Sequence, residues 1–173
     1  MKTVLQLDAL RYAGGGRMPA FQRYYRKVQE GGTCSLLYKL LFHYCRERNH
    51  IDLLAQTKIG PGLYIGHPYG ITINPAAVIG SNINIHKGVT IGQENRGERK
   101  GAPVIGDQVW IGVNATIVGK IKIGNDVLIA PNAYVNCDVP DHSIVVGNPC
   151  TVISRANATD GYINKIVDVE KET

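Results

Sequence analysis

The sequence predicts a mainly β protein wound as a parallel β-helix behind a short helical segment. Two observations carry this. First, Ile59, Ile65 and Ile71 are six residues apart, as are Ile73 through Ile91 and Ile105 through Val135. Second, glycine often follows these apolar markers, and Gly, Asn or Asp often stands three residues after them (Gly62, Asn82, Gly88, Asn114, Asp126, Asn132). A strand and turn repeated every six residues cannot bury its own apolar side chain, so it must stack on copies of itself. Gly, Asn and Asp are the residues that best tolerate a left-handed backbone at the corners.

The segment 1–50 reads as helical. Gly14–Gly16 form a loop, and Pro19 suits a helix start. Phe21, Tyr24, Tyr25 and Val28 follow at helical spacing. Gly31-Gly32 ends that helix, and Thr33 is the expected N-cap of the next. There Leu36, Leu37, Leu40, Leu41, Tyr44 and Cys45 draw one apolar stripe, expected to be a packing face. Hexads fill 51–153. The first two runs join with a slip of two residues, and the spacing of fourteen between Ile91 and Ile105 marks an inserted loop. Leu63, Ala77, Ile83, Val89, Val109, Ala115, Ile121, Val127 and Ala133, each two before a marker, are expected to face inward. The tail 154–173 is polar, a helix or a loose end, with no function read in it.

Composition narrows the function. The 173 residues predict one domain, and 44% hydrophobic with 19% charged excludes a disordered chain. No apolar run reaches the length of a bilayer span, and the N-terminus does not read as a signal peptide. Four cysteines with no Cys-x-x-Cys pair fit a reducing, cytoplasmic setting and no zinc ribbon. The net charge of +5 is scattered, which argues against nucleic acid and leaves room for an anionic ligand.

The hexads, with Ile65-Gly66-His67-Pro68-Tyr69-Gly70-Ile71, Gly88-Val89-Thr90-Ile91-Gly92, Val109-Trp110-Ile111-Gly112 and Val146-Gly147-Asn148-Pro149, resemble the hexapeptide-repeat acyltransferases. Within that group the stretch from about Ile51 to Ile153 is similar to serine acetyltransferases and to short relatives that acetylate capsule and exopolysaccharide sugars. The resemblance implies a left-handed parallel β-helix of hexapeptide repeats, a homotrimer with sites between subunits (or two docked trimers), and acetyl-CoA as cosubstrate with no metal. It implies His67 as catalytic base with Asp52, fifteen residues upstream, as its partner. It places CoA near Gly92, Gln93, Val113, Asn114, Ala130 and Pro131, with Lys120 and Lys122 toward phosphates. His86, with Lys87 beside it, is a substrate contact or a surface residue. Arg96, in the basic loop Arg96–Lys100, is a candidate to hold a carboxylate or phosphate. His43, His50 and His142 read as helix, junction and turn residues, and Trp110 as a packing or trimer-contact residue.

A histidine suits acetyl transfer to an alcohol, since a hydroxyl is too weak an acid to attack unaided and imidazole titrates near neutrality. An aspartate can fix its tautomer. The sequence departs from serine acetyltransferases in three places. Gly66 replaces an acid that contacts the substrate amine, and Gly101-Ala102 replace an Arg-His pair that holds the serine carboxylate. These departures favour a sugar or polysaccharide-precursor hydroxyl as acceptor, with serine as the alternative. A three-histidine metal site like that of the γ-class carbonic anhydrases and a non-catalytic scaffold are the remaining readings.

Overall fold

The computed structural model describes residues 2–168. Helices α1 (Val4–Leu10), α2 (Ala20–Glu30) and α3 (Ser35–Asn49) precede fourteen short strands. These are β1 (Lys58–Ile59), β2 (Tyr64–Gly66), β3 (Thr72–Ile73), β4 (Val78–Ile79), β5 (Asn84–His86), β6 (Thr90–Gly92) and β7 (Val104–Ile105). They continue with β8 (Val109–Ile111), β9 (Thr116–Val118), β10 (Lys122–Ile123), β11 (Val127–Ile129), β12 (Tyr134–Val135), β13 (Ser143–Val146) and β14 (Thr151–Ser154). They form three sheets, ordered β1-β4-β7-β10, β14-β13-β11-β8-β5-β2 and β12-β9-β6-β3. The result is a left-handed β-solenoid of about five turns. All pairings are parallel except the last, where β14 returns antiparallel on β13.

The markers and the residues two before them are buried together in one continuous core. The six corner residues named from sequence all adopt positive φ. Another corner shows why glycine recurs after the marker. A Cβ on Gly60, Gly80 or Gly106 would lie 2.6–2.9 Å from the backbone of Gly80, Gly106 or Gly124 on the next coil. Coils one strand spacing apart leave no room for it.

The two-residue slip lies at 66–70. Ile65 pairs with Ile85 and Ile73 with Ile91, so this corner holds two residues more than the one above it. His67 sits in that expanded corner at φ 60.

The helices cap the open end of the first coil. Asp8, fully buried, accepts from the Leu63 N–H at 3.0 Å and pairs with Arg26 at 2.8 Å. Arg26 donates to the carbonyls of Ile59 and Gly60. The Ile65 N–H donates to the Tyr12 hydroxyl, and the Tyr25 hydroxyl donates to the Thr57 carbonyl. An edge that would otherwise bury unpaired backbone groups is satisfied by side chains.

Three local expectations change. Helix α1 lies within the segment expected to be helical but is not delimited by the sequence reading, although its capping box of Thr3 and Gln6 is a readable start signal. Helix α3 has Cys34, not Thr33, at its N-cap, with no side-chain hydrogen bond. Its stripe does not pack as a whole: Phe42 is buried, while Leu36, Leu37, Leu40 and Tyr44 are 54–70% exposed. The other face of α3 meets α2, through Phe21–Phe42 and Tyr24–Tyr38 ring contacts. The tail through Asp168 is neither a helix nor loose. It runs back over the sheet of β2, β5, β8 and β11, held by Asp126, which accepts from Ala158 N–H, Thr159 N–H and Thr159 hydroxyl. Burial alone would raise the Asp126 carboxyl, but hydrogen bonds from Thr159, His142 and Ala158 outweigh it and hold the group below its ordinary value. The tail's last residues, 169–173, lie outside the described residues. No helix among the described residues is long and apolar enough to cross a membrane.

Replacing Asp8 by Ala strands the buried Arg26 guanidinium and the Leu63 N–H. The expected cost is about 3–5 kcal/mol, read by urea unfolding. Adding Arg26→Met should recover part of the loss, because it removes the unpaired charge.

Candidate active site

Stacking places His67, Lys87, Val113 and Pro131 at one edge of the solenoid, each two residues past the paired Ile65, Ile85, Ile111 and Ile129. Backbone hydrogen bonds tie the edge from coil to coil. Gly88 N–H donates to Tyr69 C=O, Asn114 N–H to Lys87 C=O, and Asn132 N–H to Val113 C=O. Four expected CoA positions, Val113, Asn114, Ala130 and Pro131, therefore share an edge with His67.

Gly92, Gln93, Lys120 and Arg96 lie elsewhere, at the far side of the sheet of β3, β6, β9 and β12. There Gly119 N–H donates to Gly92 C=O, and Lys120 N–H to Arg99 C=O. The inserted loop closes on itself through paired backbone hydrogen bonds between Glu94 and Gly101, leaving Arg96 exposed. Gly101 takes φ 134, and a Cβ there would crowd Lys120 at 3.2 Å. Between the two edges runs an outward row, Asp52, Thr72, Thr90, Thr116 and Tyr134, in register.

The expected His67–Asp52 pair is not closed. His67 is exposed at its corner. The Asp52 backbone joins β3, while its carboxylate, 69% exposed, meets Arg46 at 3.2 Å. Among the described residues no hydrogen bond joins His67 to Asp52. The C-terminus of α3 braces the His67 corner instead. Asn49 C=O accepts from Gly70 N–H at 2.9 Å, and the His50 ring meets Tyr69 edge-on at 5.3 Å.

His86 is more deeply set than a surface residue. Its strand pairs it with Gly66, and its ring lies 4.8 Å from Trp110. Trp110, half-buried, in turn packs against Tyr162 of the tail at 5.1 Å. A Cβ on Gly66 would stand 2.9 Å from the His86 imidazole. Burial first, and the charge of nearby His67 second, push His86 below the ordinary histidine value. Sequence pattern could not show this setting, because it depends on Trp110, which packs in turn on Tyr162 of the tail. His142 is a turn residue at φ 57, hydrogen-bonded to Asp126 at 2.8 Å. His43 lies exposed on α3, and His50 caps its end.

Residues 102–137 match the family described as bacterial transferase hexapeptide (six repeats). The chain is 36% identical over 122 residues to serine acetyltransferase 4 of Arabidopsis thaliana, covering 70% of this chain and 34% of that protein. It is 35% identical over 126 residues to the serine acetyltransferase of Mycobacterium tuberculosis, covering 73% of this chain and 55% of that one. Its fold is similar to the crystal structure of the Neisseria gonorrhoeae serine acetyltransferase, with TM-score 0.69 and 28% identity over 93% of this chain and 69% of that one. The chain spans about a third to just over half of those two curated relatives. It has the hexapeptide-repeat fold and is similar in sequence to serine acetyltransferases.

Because the folded state holds His86 neutral more strongly than the unfolded chain does, its contribution to stability is complete above the ordinary histidine pKa of about 6.5. It is lost as pH falls below that value. His86→Gln should flatten the decline in thermal stability between about pH 7 and 5, a window that the acidic groups leave largely untouched.

Proposed function

We propose that the chain is an acetyl-CoA-dependent O-acetyltransferase of the serine acetyltransferase type, with His67 as general base. The supporting observation is the edge that gathers His67, Lys87, Val113 and Pro131 beside an outward polar row. A hydroxyl presented to His67 would give its proton to the imidazole as its oxygen attacks the thioester carbonyl carbon. The C–S bond then breaks, and the proton passes from His67 to the departing thiolate. Asp52 acts as the group that orients the imidazole, after its exposed carboxylate turns away from Arg46. The edge from Val113 to Pro131 fits an extended thiol-bearing arm. Its side chains there are small, and a Cβ on Gly112 would already meet Pro131 at 2.6 Å, so the edge is closely stacked. Sites between subunits of a homotrimer belong to the same proposal.

For the acceptor, the similarity favours L-serine over the sugar hydroxyl expected from the sequence, since both curated relatives carry serine in their names. A sugar hydroxyl is the second reading. The observation that favours it is the contact of Gly66 with His86, since an acidic side chain at that position would have to displace the His86 ring.

The test is thiol release from acetyl-CoA with L-serine and with a panel of sugars. His67→Ala should lower kcat by roughly 10²–10⁴, with a smaller loss for Asp52→Ala. Full activity of His67→Ala at saturating substrate would overturn the mechanism. Turnover with a sugar and none with serine would select the second reading.

A further inference from the structure

The tail, the segment after α1 and the sheet of β2, β5 and β8 enclose a cleft of roughly 350 Å³. None of the residues assigned to catalysis or CoA above lines it, whereas His86, the candidate substrate contact, does. Its walls bring together Arg11, His86 and Lys165 with Tyr64, Trp110 and Tyr162, and no Asp or Glu is among its described lining residues. Arg11 is 5% exposed, so its charge is buried. Its terminal nitrogens donate to the side-chain oxygens of Asn82 and Asn84, both neutral. Asp8, whose charge acts on Arg11, is committed to Arg26, Gln22 and the Leu63 N–H. Arg11 Nε and His86 Nε2 are buried without a hydrogen-bond partner. The Lys165 ammonium lies over Gly14, where a Cβ would stand 2.2 Å from Nζ. Buried polar atoms without partners cost free energy, and a buried cation with neutral partners calls for a counter-charge.

We infer that this cleft binds the acid group, carboxylate or phosphate, of the hydroxyl compound that accepts the acetyl group. Lys165 and Arg11 supply the charge, and Trp110 and Tyr64 flank the uncharged part. The position fits that role. His86 lines the cleft, and its strand partner Gly66 is the residue before His67. The loop positions Gly101 and Ala102 offer no charged side chain, and the cleft supplies cations from both ends of the chain instead. This inference rests on the acetyl-transfer reading for the word acceptor. The binding itself is measured without acetyl-CoA.

Trp110 is the only tryptophan in the sequence, so intrinsic fluorescence reports on the cleft directly. The full chain is titrated with L-serine and D-glucuronate as carboxylates, glucose 1-phosphate as phosphate, and D-glucose and glycerol as neutral hydroxyl compounds. At least one acid should change Trp110 emission saturably, at a concentration at least tenfold below any effect of the neutral compounds. The carboxylate and phosphate arms identify the group preferred. Lys165→Glu should raise the apparent Kd at least tenfold, and Lys165→Arg should restore it. In turnover the same Lys165→Glu change should raise KM for the acid acceptor and leave kcat nearly unchanged. No saturable change with any acid, equal binding of acids and neutral compounds, or unchanged binding in Lys165→Glu would overturn the inference. Acid binding in a chain that turns over no acceptor would defeat the acetyl-transfer reading and leave the cleft as an acid-binding site.

Discussion

A solenoid of parallel coils must deal with its first edge. Each inner coil finds hydrogen-bond partners above and below, and the first has them on one side only. Here the free groups at Thr57, Ile59, Gly60, Leu63 and Ile65 are met by Tyr25, Arg26, Asp8, Gln22 and Tyr12. The buried Asp8–Arg26 pair is the centre of that cap. Two charges out of water stabilise little by themselves, but each also satisfies backbone of the first coil. The position of α1 and α2 follows from this, and so does that of Arg11, which follows α1 on the outer face of the first coils.

The far end of the chain uses the same face. After β14 reverses direction, Asp126 fixes the chain at Ala158 and Thr159, Asn84 donates to Tyr162 C=O, and Asn82 exchanges hydrogen bonds with Val167. Asn82 and Asn84 also accept from Arg11. The two termini thus meet on one pair of asparagines, and the cleft between them exists only when both are docked. A solenoid core is indifferent to its outer faces, so these polar contacts, not the isoleucine columns, decide what the face presents.

The repeat was legible because stacking forces every coil to the same inward pattern. The markers from Ile59 to Val135, the residues two before them and the positive-φ corners could be read from types and spacing alone. The edge shared by His67, Val113 and Pro131 follows from the same count, once three hexads make a turn. What the sequence did not reveal depends on contacts far apart in the chain. The exposed stripe of α3 has the same spacing as a buried one. Arg46 reaches Asp52 across the end of a helix. Trp110, against which the His86 ring packs, is covered by Tyr162 of a tail that carried no repeat to announce where it would lie.

Departures from the period carry as much information as the period. A residue inside a regular hexad is held to the geometry of its neighbours above and below, and a side chain with a different task needs local release from that constraint. The chain departs twice within the solenoid, by two residues at 66–70 and by the loop at 93–102. Both departures border the same sheet, one on each side of the outward row from Asp52 to Tyr134. The first holds His67 in a left-handed conformation, and Asn49 on Gly70 and the His50 ring on Tyr69 brace the residues that follow it. Gly66, just before His67, is paired in register with His86, and a Cβ there would crowd the His86 ring. A histidine released from the repeat and a glycine crowded by its strand partner thus stand side by side in the sequence. That corner is also where the edge bearing Val113 and Pro131 meets the cleft closed by the tail.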